Sequence, residues 1–156
     1  MGLLTALALI IFTIEAQIPP VVPIPGVKLG LANIITVYAM FVLGPRDTFM
    51  ILFCRIILGS IFSGQAMTLL YSLSGGLLCY LIMLLMRKLV TDRQIWVCSM
   101  VGAIAHNIGQ ITAAILIAQT VGLIVYLPIL LVSGIIAGFF TGFCAQFVVN
   151  RLRGKF

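Results

Sequence analysis

The chain has 156 residues, of which 63% are hydrophobic and 8% charged, with nine Lys and Arg against three Asp and Glu. A soluble domain of this length carries roughly 25% charged residues, so the composition excludes an ordinary soluble enzyme. A mean hydropathy of +1.30 and apolar runs longer than about 18 residues point to helices that span a bilayer.

A spanning helix needs about 20 mostly apolar residues. Charges and Pro/Gly clusters divide this chain into six segments of that size or slightly less, at about 2–17, 30–44, 47–63, 66–86, 95–119 and 127–149. The expected fold is an all-α integral membrane protein with six transmembrane helices in a single domain over residues 1–156. The first segment lacks a basic n-region and a clear small-x-small cleavage site, so it reads as a mature helix and not a secretory signal. It leads into Ile18 to Lys28, with prolines at Pro19, Pro20, Pro23 and Pro25. Such a connection is stiff, and it serves either as a cover over the bundle mouth or as a simple connector. Lys28 and Asn33 follow at the top of the second segment.

Gly44 and Pro45, with Arg46 and Asp47, predict a tight hairpin between the second and third segments. Arg55 lies nine residues past Arg46, which is about 13 Å into the membrane at the helical rise. A guanidinium at that depth either meets a ligand or pairs with Glu15 or helix carbonyls, and Gly59 one turn on leaves room beside it. Gly75 and Gly76 in the fourth segment allow close packing or a bend. The fifth carries His106, Asn107 and Gln110 on one face with Ala103, Ala113 and Ala114, a stripe suited to a site or to hydrogen bonding between helices. Gly134, Gly138 and Gly142 form a small ridge on the sixth, where a helix backbone can approach from within the chain or from another membrane protein.

Basic loops resist translocation, so orientation follows from Lys and Arg. With the amino terminus inside, Arg46, Arg87, Lys88, Arg93, Arg151, Arg153 and Lys155 are cytoplasmic and Lys28 lies outside. Both termini are then cytoplasmic in a multi-pass membrane protein. These basic residues flank apolar helices without interleaved stacking aromatics, so no nucleic-acid partner is expected. Cys54, Cys79, Cys98 and Cys144 lie in separate spans without CxxC spacing and read as small buried hydrophobes. Asp47 and Asp92 fall in different loops, which leaves no aspartate-rich cluster to hold magnesium against a diphosphate. There is no GxxxxGK[ST] loop, and one histidine with a lone Glu15 makes no metal ligand set. Neither a cofactor, a resident metal nor a catalytic residue is expected.

The runs PGVKLGLAN (Pro25 to Asn33), LGP (Leu43 to Pro45), CRIILGSIFSG (Cys54 to Gly64), AHNIGQ (Ala105 to Gln110) and YLPILLVSGIIAG (Tyr126 to Gly138) resemble the bacterial Gx transporter family, also labelled heptaprenyl diphosphate synthase component I. That family is similar to the substrate-binding S components of energy-coupling factor (ECF) transporters. The resemblance implies a bacterial cell membrane location and an S-component-like bundle that binds a small molecule near its outer face and partners with a transmembrane subunit and two ATPases. Docking in S components uses small residues on the first helix, where this chain has Gly2 and Ala6. The other label implies a role in menaquinone side-chain synthesis, with the catalytic aspartates supplied by a soluble prenyl synthase.

The leading expectation is a substrate-binding uptake subunit in which Lys28, Asn33, Arg55, His106, Asn107 and Gln110 line an outward-open pocket for an anionic vitamin, cofactor precursor or isoprenoid-linked ligand. The alternatives are a noncatalytic membrane component that assists a prenyl synthase, and a purely structural subunit whose polar stripe is internally paired.

Overall fold

The computed structural model of the protein describes residues 2–19, 28, 30–64 and 66–153. They form six helices: α1 (Gly2–Gln17), α2 (Asn33–Val42), α3 (Pro45–Ser63), α4 (Ala66–Leu89), α5 (Ile95–Ala118) and α6 (Leu127–Arg153). Short 3-10 turns at Asp92–Gln94 and Val121–Tyr126 lead into α5 and α6, and no strand occurs among the described residues. The proline-rich connection over Ile18 to Lys28, read as a cover or a simple connector, falls largely on residues 20–27, and the basic tail position Lys155 falls past residue 153. Both lie outside the described residues.

The helix boundaries follow local chemistry. Leu43 N–H and Gly44 N–H both donate to Ala39 O, at 2.8 and 3.0 Å, and close α2. Gly44 then turns the chain with φ 102°, a conformation costly for any residue with a Cβ, and Pro45 opens α3 where its missing N–H leaves nothing unsatisfied. The predicted hairpin is therefore built on two residues. Gly64, with φ 64°, ends α3 in the left-handed region. The second segment yields a shorter helix than expected, because Gly30 at φ 82° holds the chain in a turn until Asn33.

α5 is the central helix, packed along its length against α4 and α6. Glycines make that closeness possible. A Cβ added to Gly109 would lie 2.7 Å from Ser74 O on α4. On the other side, a Cβ on Gly138 would lie 2.8 Å from Met100 Cα, and one on Gly142 would lie 2.7 Å from Trp96 Cα. The ridge of α6 is thus used inside the chain, against α5. Gly76 likewise receives Ile56 and Leu52 of α3. Below these seams Val37, Met40, Phe41, Cys79, Met83, Ile95, Cys98, Ala145 and Val149 form a core.

The outer surface carries many large apolar side chains. Ile136, Phe140 and Phe147 on α6 are 65%, 66% and 63% exposed, a pattern that suits lipid and not water. α4, α5 and the stretch Val121–Leu152 are each long and apolar enough to cross a membrane. α1 and α2 are shorter apolar helices, and α3 carries Arg46, Asp47 and Arg55. The chain is a helical membrane protein.

Candidate functional site

Most of the candidate polar residues converge around the turn at Gly30–Ala32 that leads into α2. Glu15, in the last turn of α1, is 5% exposed and accepts a hydrogen bond at Oε1 from Gly30 N–H. Its carboxylate is within electrostatic reach of Arg55 and Lys28. Arg55 projects from the middle of α3, is also 5% exposed, and donates from Nη2 to Asn33 Oδ1 at 3.1 Å. Lys28 Nζ sits over the Phe12 ring, 3.5 Å from its centroid, which offers the ammonium a cation–π partner. Burial pulls the Lys28 ammonium below the ordinary lysine value, and the Glu15 carboxylate opposes that shift. His106 comes in from α5: a Cβ on Gly30 would meet its Cδ2 at 3.1 Å, and one on Gly75 its Cε1 at 3.0 Å. Those two glycines let the imidazole lie between α4 and the α1–α2 turn.

These groups surround a cavity of about 20 Å³ lined by Phe12, Glu15, Lys28, Gly30, Arg55 and Gln110, among others. A space of that size holds about one water molecule. Its walls are mainly apolar, from Phe12, Ala32 and Ile56, so the charges in it are poorly screened. Arg55 Nε, Asn33 Nδ2, His106 Nδ1 and Gln110 Oε1 are buried and have no hydrogen-bond partner. Buried polar atoms are nearly always satisfied, so these four, like Asn107 Oδ1 on α5, are exceptions.

Five of the six residues singled out in the sequence are therefore neighbours: Lys28, Asn33, Arg55, His106 and Gln110. Asn107 is not part of this group. Its Nδ2 donates to Leu130 O, and its amide fills the space left by Gly134, so it joins α5 to α6. The room expected beside Arg55 at Gly59 is also taken, since the Phe12 ring packs there, 2.9 Å from where a Cβ would stand. Phe12, Gly30 and Ser72 complete the wall, and the sequence offered no signal for Phe12 or Ser72 beyond ordinary apolar and small residues.

A second cavity, a groove of about 310 Å³, opens at the opposite end between α5 and α6. It is lined by Arg93, Trp96, Phe139, Phe143, Gln146 and Asn150. Trp96 meets Phe139 edge-on at 5.7 Å, and Phe139 stacks on Phe143 at 6.2 Å, so the groove has an aromatic floor with a cation at its mouth. No group of three or more His, Cys, Asp or Glu that could hold a metal occurs among the described residues.

The family model for heptaprenyl diphosphate synthase component I matches residues 4–148. The chain belongs to that family. No curated protein and no solved structure matches it. All the residues that line the polar cavity fall inside the matched stretch, and those of the aromatic groove do so except Asn150.

Proposed function

We propose that the chain is the noncatalytic membrane component of a heptaprenyl diphosphate synthase, acting beside a soluble prenyl synthase that carries the catalytic aspartates. The observation that carries this reading is the family match across residues 4–148. The acidic residues agree with it. Glu15 is engaged inside the polar cavity, Asp47 stands in the first turn of α3 and Asp92 begins the turn before α5. Magnesium-assisted diphosphate chemistry needs carboxylates gathered on one ligand, and these are assigned to separate elements.

In this reading the bundle sits in the cell membrane as one domain with both termini cytoplasmic; α4, α5 and the stretch Val121–Leu152 are long enough to cross it, while α2, at about 15 Å, is shorter than the hydrocarbon core. Arg46, Arg87, Lys88, Arg93 and Arg151 fall at one end of the bundle, at helix ends or in the turns between them, which supports that orientation. The aromatic groove opens at this same basic end, where a soluble partner would work. An isoprenoid chain could lie along Trp96, Phe139 and Phe143 with its diphosphate beside Arg93. The deciding experiment is co-expression with the soluble synthase and purification in mild detergent. Co-elution supports the proposal, and repeated separate elution rejects it.

A second reading has its own support. The cavity with Lys28, Asn33, Arg55, His106 and Gln110 lies at the end opposite the basic residues, where an extracellular solute would enter. As an uptake subunit of the S-component kind, the chain would bind an anionic group there and dock an ECF-type transmembrane subunit with two ATPases. Gly2 and Ala6 are exposed on α1, as docking through that helix requires. Co-elution with such ATPases in place of a prenyl synthase would favour this reading.

A further inference from the structure

The polar cavity has a definite charge as well as a definite size. Arg55 and Lys28 are formally cationic and Glu15 anionic, so with a neutral imidazole the formal charges of the cavity lining leave one positive charge uncompensated among the described residues. A net charge in an apolar enclosure is unfavourable until a counter-charge joins it. Two donors of the cluster are without partners, Arg55 Nε in the cavity lining and Asn33 Nδ2 beside it. His106 Nδ1 is also unpartnered and can donate when its tautomer places the proton there. Gln110 presents an unpartnered Oε1, and half a turn of its amide would present the nitrogen instead.

Size narrows the guest further. The cavity holds about 20 Å³, room for one particle of about the volume of water. A water molecule would satisfy the donors and leave the charge. A diphosphate would overfill the space and reverse the charge. We propose that this cavity binds one monovalent anion of halide size, held by Arg55 with Lys28 at the rim. The inference rests on the cluster being a recognition site, and it holds whether the partner is a prenyl synthase or a transporter.

Glu15 is then the regulator of affinity. Neutralising it raises the net charge of the cluster and should tighten anion binding, while removing a cation should weaken it. The protein is purified in mild detergent in sodium gluconate and titrated with sodium chloride, with ³⁵Cl line broadening and thermal stability as readouts. Wild type should show saturable broadening and a rise in Tm that sodium sulfate at equal ionic strength does not reproduce. Lys28→Gln lies at the half-buried rim, should keep the fold, and should weaken chloride binding about tenfold. Glu15→Gln should strengthen it by a similar factor, and Arg55→Gln should abolish it. Broadening that is absent in wild type, or unchanged in Lys28→Gln, overturns the proposal and leaves the cavity to water. Co-elution with a prenyl synthase is scored separately, so failure of the anion site is distinguishable from failure of the partner assignment.

Discussion

Arg55 and Asn33 tie the middle of α3 to the first turn of α2: the guanidinium Nη2 donates to Asn33 Oδ1 at 3.1 Å, with both side chains 5% exposed. The contact places a cation inside an apolar bundle and leaves Arg55 Nε and Asn33 Nδ2 open beside it. Glu15, reached from α1, supplies the nearby negative charge.

Removing one member of a buried charged group strands the other. Arg55→Met should destabilise the protein by about 1–3 kcal/mol, because Asn33 Oδ1 loses its buried donor and Glu15 loses a nearby positive charge. The double variant Arg55→Met with Glu15→Met should recover part of that loss. Denaturation of all four forms in detergent gives the coupling between the two residues. A double variant as unstable as the sum of the singles would show that they do not interact.

The seam between α5 and α6 has no space for side chains on its glycines. Gly138→Leu should cost about 3 kcal/mol, since its Cβ would stand 2.8 Å from Met100 Cα, a backbone atom that cannot move aside. Gly2→Leu, with nothing within 4 Å, serves as the control and should leave Tm unchanged. Equal Tm values for the two variants would contradict the packing described.

Asn107 and Gln110 separate by role although they lie on the same helix. Asn107→Leu should lose the bond to Leu130 O and lower stability by about 1 kcal/mol, while chloride titration proceeds as in wild type. Gln110→Leu should alter the titration, because Gln110 lines the cavity. Stability and ³⁵Cl line width measured on both variants check the assignment.

The helices were legible in the sequence because charge and Gly/Pro punctuation are strong local signals: Gly44 and Pro45 marked their hairpin, and Arg87 and Lys88 marked the end of α4. The short α2 was not legible, since the positive φ of Gly30 depends on the turn it makes with Glu15 and Asn33. The candidate site was legible to the extent that polar residues stand out in an apolar chain. Lys28, Asn33, Arg55, His106 and Gln110 could be named, yet helical spacing also put Asn107 with them. Only the position of α6 separates it, because Gly134 lets the amide reach the Leu130 carbonyl. Phe12 shows the same limit: one more apolar residue in α1, it fills the space beside Gly59 and lies under Lys28.

Orientation can be read with single cysteines in a form whose four native cysteines are replaced. Ile18→Cys, at a position 43% exposed just past α1, should react with a membrane-impermeant maleimide in intact cells. Arg93→Cys, at the basic end, should react only after permeabilisation. The reverse pattern would invert the proposed topology.

The central claim is that this membrane subunit assists prenyl transfer without performing it. The most direct measurement is prenyl transfer in liposomes by the chain alone, by the soluble synthase alone and by the two together, with rate and product length recorded. No turnover is expected from the chain alone, and a faster rate or longer product is expected for the pair than for the synthase alone. Turnover by the chain alone, or a pair indistinguishable from the synthase, would contradict that claim.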